Sequence, residues 1–294
     1  MQTVISNSYN PILKELIQCY IFFNHDNGHP IHYTTFPNTN LCLALYQNNR
    51  VSYLKNATEN RCILDKGAGT FGSRIYAFHQ QPFQVDIHAE VDQICIIFHP
   101  GALTAFTKER YAALLDDDHP FERIFKEDSS ALAQLFAADD QAKRVAILEE
   151  LLAKSIIRQR NELRLGKLLR HIHSPLQQDL QVEQLAKEMN INVSTLYRIF
   201  MAEIGQSPKK YLQTLRFRKA LDTLKYSKKV DLTAIAYKHQ YYDQAHFIKE
   251  FNSLSGETPG RLIHKISLEQ QQLVWLYDAS VNKTSLLLAE KKER

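Results

Sequence analysis

Two stretches decide the reading of this chain: VEQLAKEMNINVSTLYRIFMAEIGQSP, Val182 to Pro208, and DLTAIAYKHQYYDQAHFIKEFNSLSGETP, Asp231 to Pro259. They are one pattern written twice. Leu185-Ala186 corresponds to Ile235-Ala236 and Ile191 to Tyr241, at a constant offset of 50 residues. Beyond the turn the offset is 51, pairing Leu196 with Phe247, Phe200 with Phe251, Gly205 with Gly256 and Pro208 with Pro259. Each copy reads as helix, short turn, helix, then Gly-x-Ser/Thr-Pro. A helical hairpin met once carries little information, but its repetition at matched spacing makes chance a poor explanation.

The spacing has a physical reason. A small alanine (Ala186, Ala236) lets the second helix cross the first closely, and an apolar turn residue (Ile191, Tyr241) plugs the gap between them. Leu196 and Phe200, four apart, hold the second helix on the core and leave its other face free. In the first copy that face carries Ser194, Thr195, Tyr197 and Arg198, with Asn192 as N-cap. In the second it carries Gln244, Ala245, His246 and Lys249, with Tyr242 standing where a cap is expected. Arginine can chelate guanine O6 and N7, glutamine suits adenine, and hydroxyls bond either base or phosphate. These chemistries fit the major groove of double-stranded DNA, with some contacts positioning on phosphate without specifying sequence.

Between the copies, PKKYLQTLRFRKALDTLKYS (Pro208 to Ser227) predicts one long helix with proline at its start. Tyr211, Leu212, Leu215, Ala220, Leu221 and Leu224 form its apolar side, while Lys209, Lys210, Arg216 and Arg218 are further candidate DNA contacts. Charge supports a polyanionic partner. Residues 158–265 hold 19 Lys/Arg against 10 Asp/Glu, a net +9, and the remainder carries −5.

With 294 residues, 44% hydrophobic and 23% charged, the chain predicts two globular domains. Up to about Pro100 the texture is β-rich. Leu41, Leu43 and Leu45 alternate with other residues, as do Phe83, Val85 and Ile87, and Arg61–Leu64, Arg74–Phe78 and Ile94–Phe98 add short strands. Turn-like clusters at His25–Pro30, Gln47–Arg50 and Lys66–Gly72 separate them, which suggests a small antiparallel barrel, cupin-like, or a sandwich. From Pro100 the pattern turns helical. Its strongest helix is Gln141–Asn161, where Val145, Leu148, Leu152 and Ile156 form a stripe widened by Ile147, Leu151 and Ile157. Core packing is the default for that width, with a second copy of the chain as the alternative. The expected division is a β-rich sensing or dimerisation domain over 1–160, a double helix-turn-helix domain over 161–265, and a helical tail over 266–294. The tail carries Trp275 and Leu286-Leu-Leu288. The fold class is therefore α+β, with an all-α C-terminal part.

Other chemistry is discounted at this stage. Gly67-Ala-Gly69-Thr-Phe-Gly72 matches the dinucleotide fingerprint by letter, but a strand rather than a helix follows, so it reads as a glycine-rich turn. His25, His29 and His32 read as one polar loop, the sequence shows no H-x-H pair with a well-spaced third ligand, and no metal or other cofactor is expected. No G-x-S-x-G, Walker loop or H-E-x-x-H occurs, and no catalytic residue is assigned. The four cysteines, Cys19, Cys42, Cys62 and Cys95, show no C-x-x-C spacing and read as free thiols of a reducing, cytoplasmic setting. No signal-peptide start and no long apolar run are present, so no membrane span is expected.

The segment from about Leu165 to Lys265 resembles the AraC/XylS family of transcription regulators. The resemblance lies in Leu185-Ala186, Leu196-Tyr-Arg198-Ile-Phe200, Gly205–Pro208, Leu215-Arg216-Phe217 with Ala220, Ile235-Ala236, Asp243-Gln244, Phe247, Phe251 and Gly256–Pro259. It implies two recognition helices in successive major-groove segments. Two departures stand out: Gln240-Tyr241 where the family usually has Gly-Phe, and Tyr242 at the expected cap. Phe98–Gly101 and the helices after it are weakly similar to the family's sensor domains. The expectation is a regulator, an activator by analogy, acting on promoter DNA. RNA polymerase, an unidentified small-molecule effector and a homodimeric partner are its further expected contacts. Two alternatives stand beside it: a small-barrel enzyme fused to a DNA-binding module, and an interaction protein without a small-molecule effector.

Overall fold

The computed structural model describes residues 2–26, 29–56, 59–109, 111–115, 117–126, 129–157, 165–173, 181–226, 230–264, 267–269 and 273–277. Its N-terminal part is a curled sheet of β1 (Gln2–Ser6), β2 (Ile17–His25), β3 (Ile31–Thr35), β4 (Leu41–Lys55), β5 (Asn60–Tyr76), β6 (Phe83–Ile87) and β7 (Val91–Phe98). The strand order is β1-β2-β7-β4-β5-β6-β3. Pairing is antiparallel except between β5 and β6, which run parallel, so the all-antiparallel expectation is corrected there. The two-residue period of a strand divides the apolar residues between two faces. Leu41, Leu43 and Leu45 of β4, with Ile94, Ile96 and Phe98 of β7, join one core; Ala44 and Tyr46 join another with Phe23, Cys62, Leu64 and Val85.

β4 and β5 are longer than their sequence suggests, at 15 and 17 residues. The turns expected at Gln47–Arg50 and Lys66–Gly72 are instead a bulge within this pair. Register passes from Gln47↔Phe71 to Asn49↔Lys66 around Asn48 (φ 61°) and Gly69 (φ 84°). A Cβ on Gly67 would lie 2.9 Å from the Asn48 carbonyl, so the glycines permit a close backbone approach rather than a chain reversal. The expected histidine loop is also revised. His25 ends β2, with Nε2 2.7 Å from the His29 carbonyl oxygen, while His32 lies in β3 with Nδ1 2.6 Å from Asp86.

Helices cover the first face of the sheet: α1 (Pro11–Lys14), α2 (Tyr111–Leu115), α3 (Pro120–Phe125), α4 (Ser129–Ala137) and α5 (Gln141–Lys154). Asp140 caps α5 by accepting the Lys143 N–H, and the helix ends at Lys154, short of the expected Asn161. Val145, Leu148 and Leu152 are fully buried in the core, with Ile147, Leu151 and Ile156 packed against it. One copy of the chain thus uses most of the wide stripe; Ile157 stays exposed. Two polar anchors fix the helix. Arg144 donates to both oxygens of Asp92 at 2.8 and 2.7 Å, and Glu149 accepts from Ser8 Oγ and the Tyr9 N–H, each at 2.6 Å.

The C-terminal part is α6 (Gly166–Ile172), α7 (Val182–Glu188), α8 (Val193–Glu203), α9 (Pro208–Tyr226), α10 (Leu232–Lys238), α11 (Gln244–Ser255) and α12 (Pro259–Leu262). It holds two cores, one around Leu185, Leu196, Phe200 and Tyr211, the other around Phe217, Ile235, Tyr241, Phe247 and Phe251. The sheet domain reaches both. Phe36 is 3% exposed within the second core, its ring 6.5 Å from that of Phe217. Phe78 packs on the first core and stacks on Tyr111 at 6.4 Å.

The tail differs from expectation. Residues 267–269 and 273–277 are strands, β8 (Ser267–Glu269) and β9 (Leu273–Tyr277), not helix. The run Leu273-Val-Trp-Leu-Tyr277 is rich in β-formers, and β3 offers it an open edge, pairing Tyr33↔Tyr277 and Thr34↔Leu276 antiparallel. Leu286–Leu288 lies outside the described residues.

The Phe36 contact is open to a direct check. Phe36→Ala removes a buried aromatic from a core belonging to another part of the chain, and should lower stability by about 3 kcal/mol. Chemical denaturation of the full-length chain measures it; a loss under 1 kcal/mol would mean that this core closes without Phe36.

Candidate nucleic-acid interface

Both helix-turn-helix turns are built the same way. After α7, Asn190 takes φ 53°, its N–H meets the Lys187 carbonyl at 2.9 Å, and the Ile191 N–H meets that of Ala186 at 3.0 Å. After α10, Gln240 takes φ 59°, its N–H meets the Tyr237 carbonyl at 3.1 Å, and the Tyr241 N–H meets that of Ala236 at 2.9 Å. The Gln240-Tyr241 departure therefore leaves the turn intact, although a glutamine in the left-handed region carries a cost of about 1 kcal/mol. Ala186 and Ala236 are buried at the crossings, and Tyr241, 3% exposed, plugs the second.

The caps correct one reading. Asn192 Oδ1 accepts the Thr195 N–H at 2.8 Å, as expected. In the second unit the cap is Asp243, not Tyr242: Asp243 Oδ1 accepts the His246 N–H at 2.7 Å. Asn192 and Asp243 are 51 apart, so the offset changes at Tyr242, an extra residue between the turn and the cap.

The structure leaves most of the candidate residues open to solvent. Ser194, Tyr197 and Arg198 are exposed on α8, while Thr195 is half-buried and its Oγ1 accepts from Arg198 Nη2 at 3.1 Å. Gln244, Ala245, His246 and Lys249 are exposed on α11. His246 Nε2 lies 3.7 Å from Glu250, and Gln244 Oε1 accepts from Thr233 Oγ1 at 2.7 Å. Lys209 and Lys210 are exposed in the first turn of α9. The two arginines of α9 are placed differently. Arg216 Nη2 donates to both oxygens of Glu250 at 2.8 and 3.0 Å, and its guanidinium lies 4.8 Å above the Tyr241 ring. It ties α9 to α11, and Glu250, nearly buried, needs the counter-charge. Arg218 is half-buried, and burial pushes its pKa down. Residue types alone did not separate these two from the lysines.

Val193 and Met201 are exposed apolar side chains of the first unit that the motifs do not single out, and Tyr242, expected at the cap, is an exposed ring of the second. Beside the first turn a surface groove of about 720 Å³ is lined by Glu183, Lys187, Asn190, Asn192, Val193 and Thr195, among others. Among the described residues no group of three or more His, Cys, Asp or Glu is placed to hold a metal ion. No helix among them is long and apolar enough to cross a membrane.

Comparison with known proteins matches two separate stretches of the chain. Residues 185–265 match the family described as Helix-turn-helix domain, and residues 10–120 match a Domain of unknown function, DUF6597. An uncharacterized HTH-type transcriptional regulator of Haemophilus influenzae is 32% identical over 125 residues, which is 42% of this chain and 42% of that protein. The HTH-type transcriptional activator RhaS of Citrobacter koseri is 23% identical over 212 residues, 60% of this chain and 76% of that one. Among solved structures, a Listeria innocua protein of unknown function is 31% identical over 33% of this chain and 91% of its own, at a TM-score of 0.30. ToxT of Vibrio cholerae is 10% identical over 83% of this chain and 97% of its own, at 0.44.

Two measurements follow from the second unit. Gln240→Gly should raise stability by about 0.5–1 kcal/mol, since relief of the left-handed strain outweighs the added unfolded-state entropy. A lower melting midpoint in the variant would mean that the turn is not held as described. The second concerns His239, half-buried at the end of α10 with Nε2 2.8 Å from Thr223 Oγ1. Burial first, then Lys238 and Lys219, push its pKa down to about 4 from 6.5. The unfolded chain takes up this proton before the folded one does. The neutral histidine's contribution is therefore intact above pH 6.5 and lost as pH falls from there to about 4. His239→Gln should flatten the stability profile across that window; an unchanged slope would place the titration elsewhere.

Proposed function

We propose that residues 185–265, which match a helix-turn-helix domain, are a double helix-turn-helix unit of the AraC/XylS type, and that the whole chain is a sequence-specific transcription regulator that reads promoter DNA with α8 and α11. The observation that carries this is the identity of the two turns, each presenting a capped second helix whose outer face is open to solvent. Between them α9 runs for 19 residues, about 28 Å, close to the rise of one turn of duplex DNA. Two recognition helices held at that spacing suit successive major-groove segments on one face of the DNA.

In this reading Arg198 and Gln244 supply base-edge hydrogen bonds, with Ser194, Thr195, Tyr197, His246 and Lys249 around them. Lys209 and Lys210, in the first turn of α9, neutralise phosphate. Arg216 and Arg218 stabilise the domain instead. The sheet domain carries the signal or the dimer contact, and the site of action is cytoplasmic, with RNA polymerase as a further partner. One observation favours a signal that arrives through domain docking over an enclosed small-molecule effector. The second face of the sheet carries a buried cluster of its own side chains, where Tyr46 Oη lies 2.6 Å from Tyr76 Oη and accepts from Gln93 Nε2 at 3.0 Å. Phe36 and Phe78 give such docking a direct route to both reading units.

Selection of randomised duplexes by the full-length protein tests the proposal. It should return two short elements about one helical turn apart, with affinity falling steeply as salt rises. Failure to enrich any sequence would refute sequence-specific binding. Arg198→Ala should weaken binding by about 1–3 kcal/mol and relax one or two positions. An unchanged motif in that variant would reduce Arg198 to a phosphate contact.

A further inference from the structure

Tyr242 has no counterpart in the first unit. Ile191 is followed at once by the cap Asn192, whereas Tyr241 and the cap Asp243 are separated by this one residue. An insertion at the entry to a recognition helix would ordinarily disturb the turn or the cap. Here neither is disturbed: Gln240 keeps φ 59°, Tyr241 is 3% exposed in the core, and Asp243 caps α11. The extra residue is extruded whole. Its side chain is 86% exposed, while its backbone N–H is spent on His246 Nδ1 at 3.3 Å, which pins the loop against α11.

The two recognition faces also differ in where they carry an aromatic ring. At the 51-residue offset Tyr197, 49% exposed in the middle of α8, corresponds to Ile248 of α11, which is half-buried against the second core. Along the described face of α11 the exposed ring is the His246 imidazole, and the second unit carries its exposed tyrosine at the helix N-terminus instead. That end of a recognition helix makes the base-edge contacts in helix-turn-helix docking. Tyrosine brings a flat apolar ring suited to a thymine methyl or a deoxyribose, and a hydroxyl that reaches phosphate.

We propose that Tyr242 is a specificity-determining DNA contact of the second unit, its ring against a thymine methyl at the edge of the groove segment read by α11 and its hydroxyl on the adjoining phosphate. The proposal rests on the DNA-binding reading above. It places the second unit's readout one residue outside the helix, where alignment of the two units leaves a gap.

The test uses full-length protein carrying Tyr242→Ala or Tyr242→Phe, with duplex selection, affinity for the selected site, thermal melting, and a reporter driven by that site. Melting should be unchanged, because the side chain touches no core. Tyr242→Ala should weaken binding about fivefold, the order of one lost base-edge contact, and relax one T·A position beside the element read by α11. Tyr242→Phe should keep that preference and lose about twofold, as expected for one exposed phosphate hydrogen bond. Wild-type affinity and motif in Tyr242→Ala would overturn the proposal while leaving the DNA-binding reading standing. The same result with a weaker reporter would assign the ring to a protein partner and overturn it equally. If the wild-type chain itself selects no sequence, the underlying reading has failed and the inference falls with it.

Discussion

Tyr211 and Phe217 lie six residues apart on one helix and yet belong to different cores. Tyr211 packs its ring 5.6 Å from Phe200 and lies 2.6 Å from His173 Nε2, closing the first unit. Phe217 sits 5.0 Å from Phe251, closing the second. Six residues advance about 240° around a helix axis, so the two units are held on different sides of a single rod. Neither core can repack by rotating α9 without disturbing the other, and the Arg216–Glu250 pair fixes α9 against α11 from outside the apolar contacts. The separation and mutual rotation of α8 and α11 are thus properties of one helix. A rigid relation between two reading elements is what recognition of two sites on one duplex requires.

The sheet domain is tied to this arrangement at several points. Gly205, at φ 84°, lies so close to the Tyr111 ring that a Cβ there would clash with it. The glycine thus serves both the turn after α8 and the fit between domains. A second glycine, Gly256, caps α11 in the left-handed region and packs near Pro82. The glycine of each Gly-x-Ser/Thr-Pro element therefore ends a helix and meets the sheet domain at the same time. Because the contacts enter from the sides of Phe36, Phe78 and Tyr111, the outer faces of α8 and α11 remain uncovered. The domain junction and the reading surface occupy different parts of each unit.

Much of this was legible in the chain itself. The repeat of Leu185-Ala186 in Ile235-Ala236, and the positions of Leu196, Phe200, Phe247 and Phe251, determined two helix-turn-helix units, since local periodicity and one small residue at each crossing leave few other packings. Asn192 as a cap and Pro208 as a helix start are likewise local chemistry. What tertiary structure decided was whatever depends on partners distant in sequence. Arg216 and Lys209 are equally basic on paper, but Glu250, 34 residues away, claims only the arginine. Lys66–Gly72 has turn composition, but pairing with β4 draws it into a bulged strand. Leu273–Tyr277 became strand once β3 supplied an edge. Tyr242 lay within the sequence as a change of offset from 50 to 51, yet only the fold shows that the chain absorbs the insertion by pushing a ring into solvent. Short-range patterns set which helices form; long-range contacts set which side chains are left exposed.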